Sequence, residues 1–273
     1  MEKSKIRKPA VAGQFYPSSN QGLQRQIETL TEKDIDRQDA IACMLPHAGY
    51  MYSGGVAGHT VSRINIKDKI ILLGPNHTGY GTPFSVMAEG IWQTPLGEVK
   101  IDSNLAKQIL SRCQYLKDDS LAHLYEHSLE VELPFLQYFK KDFGFVPIVV
   151  LSDEIDILKE IGKEIAYAIK DSNIKDSTMI VASSDMTHYE TQAQAIKKDK
   201  EAIQAILDLD EDKLMQKIRE LNISMCGYAP VVVMLAAAKQ LGAQKAKLIK
   251  YQTSGDVTGD KTSVVGYAGI IIY

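Results

Sequence analysis

Two short apolar runs in this chain each lead into a histidine. Residues 41–45 are followed by Pro46-His47-Ala48-Gly49-Tyr50, and residues 69–73 by Gly74-Pro75-Asn76-His77. A third run, residues 179–183, leads into Ser184-Asp185-Met186-Thr187-His188, which adds a carboxylate and another imidazole. A lone loop histidine is usually a hydrogen-bonded structural residue, because imidazole serves many roles. Histidines in matching positions after two strand-like runs, with Asp185 and His188 after a third, point instead to one shared cleft able to bind a metal. Cys226-Gly227 stands just ahead of a helical segment, residues 228–239, whose positive end would favour the thiolate, the metal-binding form. The same cysteine also fits an inert, buried small hydrophobe, and the residues alone leave both readings open.

Other chemistries lose their markers. His123 and His127 have the spacing of the zinc-protease pattern His-Glu-x-x-His, but Leu124 stands where that chemistry needs its glutamate. Glu126, His127 and Glu130 read as the polar entrance of a helix whose apolar face is Leu129, Leu133 and Leu136, with His127 near the cleft rim. His59, inside a helical segment, reads as structural. The chain has no Gly-x-Gly-x-x-Gly after a strand, no phosphate-binding Gly-x-x-x-x-Gly-Lys-Ser/Thr and no Gly-x-Ser-x-Gly elbow. A cysteine phosphatase would need arginine six residues after its nucleophile, and Val232 holds that position after Cys226.

The elements that must position these groups alternate. Strand-like runs at residues 41–45, 69–73, 145–151 and 179–183 are separated by segments of helical period at 55–64, 104–113, 128–138, 154–169 and 194–207. Parallel strands need helical crossovers, so the alternation predicts an α/β fold: a mostly parallel sheet with helices on both faces. Residues 247–251 and 263–273 read as two further strands joined by a turn-rich stretch, which adds an antiparallel edge. No linker or repeat breaks the 273 residues, so a single domain over 1–273 is expected. In such sheets ligands bind beyond the carboxyl ends of the strands, where the histidines fall.

A net charge of −3 from 34 acidic and 31 basic residues offers no basic footprint for nucleic acid. Three dispersed cysteines, Cys43, Cys113 and Cys226, make no disulfide framework and fit a reducing compartment. The charged N-terminal stretch, residues 1–13, has no apolar run behind it, and the longest apolar run, residues 231–238, is too short to span a membrane. A soluble, unprocessed, cytoplasmic protein is expected.

Arg7-Lys8-Pro9-Ala10-Val11-Ala12-Gly13-Gln14-Phe15-Tyr16-Pro17, Pro46-His47-Ala48-Gly49-Tyr50, Gly74-Pro75-Asn76-His77, Thr94-Pro95-Leu96-Gly97, Glu126-His127-Ser128-Leu129-Glu130, Ser183-Ser184-Asp185-Met186-Thr187-His188, Cys226-Gly227 and Ser263-Val264-Val265-Gly266-Tyr267-Ala268 stand in an order that resembles the Memo family. The resemblance spans nearly the whole chain. It implies a fold similar to class III extradiol dioxygenases, non-haem iron enzymes that open catechol rings with two histidines and a glutamate as ligands. It also implies a metal set of His47, His77 and Cys226, the cysteine standing where the carboxylate would be, with Asp185 and His188 lining the same pocket. Thiolate softens such a site, so ring opening is not the expected reaction, and the set suits Fe(II), Cu(I), Cu(II) or Zn(II). Members of the family are associated with iron or copper binding and redox chemistry.

Two functional readings compete. In the first, the chain is a redox metalloprotein open to oxygen-using enzyme chemistry, with His188 as acid or base and Asp185 orienting it. In the second it is a binding module whose cleft takes a phosphopeptide or small anionic ligand without metal, near the helix that follows Cys226. The animal branch of the family resembles a phosphotyrosine-motif adaptor. The N-terminal motif here is more similar to the prokaryotic branch, which travels genetically with a radical-SAM protein and an AMMECR-type protein and so implies a shared pathway. Tyr50, Tyr52, Phe84 and Trp92, close to the motifs, fit a pocket lining, an interface or the core.

Overall fold

The computed structural model describes residues 5–273; the first four residues of the charged N-terminal stretch lie outside it. The chain enters through strand β1 (Ile6–Arg7) and helix α1 (Asn20–Leu30), whose N-cap Ser19 accepts the Gly22 N–H. A first crossover follows, with β2 (Ala42–Leu45), α2 (Tyr50–Val61) and β3 (Lys69–Pro75). An excursion then adds β4 (Phe84–Val86), β5 (Ile91–Thr94), β6 (Gly97–Ile101), α3 (Ser103–Arg112), β7 (Lys117–Asp118) and α4 (Leu133–Phe139). The second crossover is β8 (Gly144–Val150), α5 (Ile155–Asp171) and β9 (Thr178–Ser183). Strand β10 (His188–Glu190) and helices α6 (Gln192–Leu207), α7 (Glu211–Glu220) and α8 (Tyr228–Gln240) lead to the closing β11 (Ala246–Thr253), α9 (Ser254–Thr258) and β12 (Val264–Ile272).

These strands form one mixed sheet in the order β1-β5-β6-β8-β3-β9-β2-β12-β10, with β11 on β12, and β4 bridging β7 and β8. Strands β6, β8, β3, β9 and β2 run parallel at its centre. Antiparallel pairs flank it on both sides, β5 with β6 and β12 with β2, β10 and β11, and β1 adds in parallel outside β5. Because side chains alternate across a strand, each central strand feeds two cores. Ala42, Met44, Ile71, Leu73, Ile180 and Ala182 face the core under α3, α5, α6, α7 and α8. Cys43, Leu45, Ile70, Leu72, Met179 and Val181 face the opposite core under α1, α2 and α4. The α/β architecture with helices on both faces and an antiparallel edge is therefore the one expected from the sequence. Burial on both faces explains why the central strands read as continuous apolar runs.

The segment expected as a helix over residues 128–138 is helical only from Leu133. Ser128, Glu130 and Glu132 turn inward to polar partners, and Pro134, lacking an N–H, fits only a first turn. His123 and His127 therefore do not share a helix face: His123 ends a short 3₁₀ turn and His127 lies in a loop. Tyr50, Phe84 and Trp92 are core residues.

Helix α8 is buried along nearly its whole length, from Ala229 to Ala238, because it lies between the sheet and α5. On α5, a Cβ at Gly162 would sit 2.5 Å from the Val233 carbonyl oxygen and 2.7 Å from the Ala236 Cβ, so glycine is what lets the two helices close. Gly162→Leu is expected to cost about 1–3 kcal/mol by overpacking this contact. The check is the urea midpoint, and a midpoint at or above wild type would contradict it.

Candidate metal centre

Strand β9 lies between β2 and β3, so the loops leaving these three parallel strands are neighbours at one edge. His47 leaves β2 and is buried. Its backbone N–H donates to Asp185 Oδ1 at 2.8 Å, and its ring Nδ1 lies 2.8 Å from Ser183 Oγ at the end of β9. His77 leaves β3 and meets Glu126: its backbone N–H donates to Oε2 at 2.5 Å and its Nδ1–H to Oε1 at 2.9 Å. Cys226 approaches from the start of α8. The Gly227 N–H donates to Ser184 Oγ at 3.0 Å, and a Cβ at Gly227 would overlap the Ser183 carbonyl and the Ser184 side chain. Glycine there lets the cysteine loop sit directly on β9.

The result brings Cys226 Sγ to 3.3 Å from His47 Nε2. One donor atom from each of His47, His77 and Cys226 lies within 4.8 Å of the other two. With both Nδ1 atoms engaged by Ser183 and Glu126, the Nε2 lone pairs are left for the centre, that of His47 beside Cys226 Sγ. The rings of His47 and His77 stand at 75° with centroids 5.1 Å apart, so their in-plane lone pairs can converge. A set of two imidazoles and a thiolate, with each imidazole held from behind, fits a metal ion. His77, Glu126 and His127 are also grouped, but the His77 and His127 rings stack at 21° and 4.7 Å. Lone pairs in nearly parallel planes do not meet at one ion, so Glu126 serves as the support of His77 and His127 as a cleft wall.

The cleft electrostatics suit neutral imidazoles. Burial, then the neighbouring His77, His127 and His188, hold His47 well below the ordinary imidazole range, so it stays deprotonated and able to ligate. Burial likewise lowers His127. Burial and the Asp185 carboxylate push the Cys226 thiol up, even though the Asp185 N–H donates to Sγ at 3.3 Å. Its surroundings therefore oppose the thiolate expected from a helix terminus. The thiol's partners are His47 and the Asp185 backbone, and not the first-turn amides of α8. A cation is what would draw off its proton.

Asp185 is turned back beneath His47. Burial pushes its carboxyl up, against the pull of His188 and of the His47 and Ala48 backbone N–H groups. It does not orient His188 as expected. The His188 Nδ1 lies 2.9 Å from the Ser224 carbonyl, and its backbone N–H donates to Ser224 Oγ at 2.7 Å. Donation from Nδ1–H to that carbonyl leaves Nε2 as the proton acceptor. His59 stands at the end of α2 near Glu32, away from the centre. His123 is fully buried against Trp92 with neither ring nitrogen in a hydrogen bond of ordinary geometry.

Several roles escaped the sequence reading: those of Ser183, Ser128 and Glu132, and those of Glu126 and Glu130, which are buried supports and not the polar entrance of a helix. Glu130 accepts from Arg7 Nη1 at 2.5 Å, Tyr16 Oη at 2.6 Å and the Ala10 and Val11 backbone N–H groups at 2.7 and 3.0 Å. Arg7 also donates to the Glu126 carbonyl at 2.5 Å and lies 4.1 Å over the Trp92 ring. Losing one partner of a buried pair like Arg7–Glu130 typically costs about 3–5 kcal/mol. The signal that could have found these groups is a row of carboxylates in an otherwise apolar stretch: buried acids require partners.

Burial alone would raise the Glu126 carboxyl, but the His77 contact, the Ser128 N–H and the His127 charge bring it down to about 2. A depressed carboxyl contributes stability that is fully present above its unfolded value, ordinarily near 4.5, and that is lost as pH falls through about 2. In metal-free protein, Glu126→Gln is expected to flatten the stability curve between pH 4.5 and 2. Urea titrations across that range check it, and an unchanged slope would contradict it.

A family model described as Memo-like protein matches residues 7–271. MEMO1 family proteins of Methanosarcina mazei and Aquifex aeolicus are 45% and 44% identical, each over 98% of this chain and 99% of the relative. One from Methanocaldococcus jannaschii is 43% identical, over 98% of this chain and 99% of its own. The crystal structure of an uncharacterized protein from Escherichia coli K12 superposes with a TM-score of 0.56 at 15% identity. It covers 84% of this chain and 98% of that one, and so shares the fold. Matched over residues 7–271 and aligned with relatives almost end to end, this chain belongs to the Memo family.

Proposed function

We propose that the protein is a metal-dependent redox protein whose ion is held by His47, His77 and Cys226. The observation that carries this reading is the 3.3 Å approach of Cys226 Sγ to His47 Nε2, with the far nitrogens of His47 and His77 both committed to partners. Two borderline imidazoles and one soft thiolate suit iron, copper or zinc alike; iron or copper follows from the family's association with redox chemistry, with zinc a competitor in purified protein. When bound, such a metal supplies one-electron chemistry and an open position for an exogenous ligand. The chain's own residues do the rest. Glu126 and Ser183 hold the two rings, Asp185 fixes the backbone of His47, and His188 presents Nε2 as a base. Burial keeps His47 neutral at working pH.

The competing reading, a metal-free module for a phosphopeptide or small anion, has less to stand on. The groups that converge at the centre are imidazoles, a thiol and carboxylates. The guanidinium beneath them, Arg7, is buried and engaged by Glu130. Phosphate recognition ordinarily uses free arginine or lysine donors. A cysteine nucleophile activated by His47 also lacks support, since thiol and imidazole are both driven to their neutral forms.

The experiment is metal analysis of tag-free protein purified without oxygen, with His47→Ala and Cys226→Ala beside wild type. Near-stoichiometric iron or copper is expected in wild type and loss of most of it in both variants. Wild type that stays free of metal after anaerobic reconstitution would overturn the proposal.

A further inference from the structure

Ser183 Oγ has three partners, each at 2.8 Å: His47 Nδ1, the Ser128 carbonyl oxygen and Glu132 Oε1. A hydroxyl carries one proton and two lone pairs, so one partner accepts and two donate. The Ser128 carbonyl has nothing to give and takes the serine proton. His47 must then donate from Nδ1–H, and Glu132 must donate as a protonated carboxylic acid. The surroundings agree. Glu132 is fully excluded from solvent, and its Oε2 has no hydrogen-bond partner among the described residues. An ionised carboxylate with one bare oxygen would be costly there. Burial and the Asp185 carboxylate both drive Glu132 to its neutral form, and the nearby Tyr50 hydroxyl is committed to the Val131 carbonyl.

We propose that Glu132 is a positioning residue: donating to Ser183 as a neutral acid, it locks His47 in the Nδ1–H tautomer with Nε2 presented to the metal. This deepens the metal-centre reading and rests on it. The two ligand histidines are then supported differently. His77 is backed by the ionised Glu126, which strengthens it as a donor, whereas His47 is backed by a neutral hydroxyl and acid that fix its ring without adding charge.

The test uses Co(II) as the probe, its affinity measured by chelator competition and its thiolate charge-transfer band recorded at saturation. Ser183→Ala and Glu132→Leu are expected to bind about 10–100-fold more weakly, with a shifted band. Glu132→Gln, whose amide N–H can replace the acid as donor, should stay within about threefold of wild type, since a retained hydrogen bond keeps the ring oriented. Infrared spectra should show a protonated carboxyl band that moves in D₂O and disappears in Glu132→Gln. Should Glu132→Leu fail to fold, Ser183→Ala carries the prediction, because it removes the same contact with little change of volume. If Ser183→Ala binds Co(II) like wild type with an unmoved band while His47→Ala and Cys226→Ala lose it, the positioning role is wrong and the centre stands. If those two ligand variants also bind like wild type, the centre falls and the positioning role with it. Absence of the carboxyl band, or a glutamine variant as weak as the leucine one, overturns the neutral-donor assignment.

Discussion

Three carboxyl groups along one short stretch of chain, Glu126, Glu130 and Glu132, lie wholly out of solvent. Burying a charge is tolerable only when partners replace water, and much of this architecture is the set of partners these acids require. Glu130 recruits Arg7, Tyr16 and two backbone amides, and so draws the N-terminal segment across the molecule. Glu126 takes the amide and ring of His77 and stays ionised. Glu132 meets Ser183 and stays neutral. One irregular segment thus supports both histidines of the centre from behind, and its polar commitments explain why it does not continue as a helix before Leu133.

The sheet supplies the other half of the geometry. Because β9 is inserted between β2 and β3, the loops bearing His47, His77 and Asp185 leave neighbouring strands in the same direction. Helix α8, apolar on all sides and wedged between sheet and α5, brings Cys226 to the same edge. The centre is therefore built on parallel strands and a buried helix, which limits the slack in its donor positions. Among the described residues, no helix is long and apolar enough to cross a membrane.

How much of this was legible in the sequence depended on what each residue answers to. Strands β2, β3, β8 and β9 and helices α5 and α8 were readable because burial on both faces of a strand, a strong helical period in α5 and burial all round in α8 each leave a local apolar signature. Helices α1 and α7 were missed although both carry the local signal, apolar residues at helical spacing behind the N-caps Ser19 and Asp210. His47, His77 and Cys226 could be placed together because two follow strand-like runs and the family motifs cover the third. The partner of His188 was misassigned, because Asp185 is its close sequence neighbour whereas Ser224 approaches from a distant loop. Glu132 belongs to the row of carboxylates that signals buried partners, but which partner it takes, Ser183, exists only once β9 and the loop before α4 meet. The upward push on the Cys226 thiol was illegible for a related reason, since a helix terminus is visible in sequence and burial beside Asp185 is not.

The central claim is that one metal ion sits between a thiolate and two imidazoles. The most direct test is X-ray absorption at the metal edge of iron- or copper-loaded wild-type protein, which reads ligand atoms without reference to activity. The account predicts one sulfur scatterer near a metal–thiolate distance, about 2.3 Å for a zinc-like ion, with outer-shell scattering from two imidazoles. A first shell of oxygen and nitrogen only, without sulfur, would contradict it.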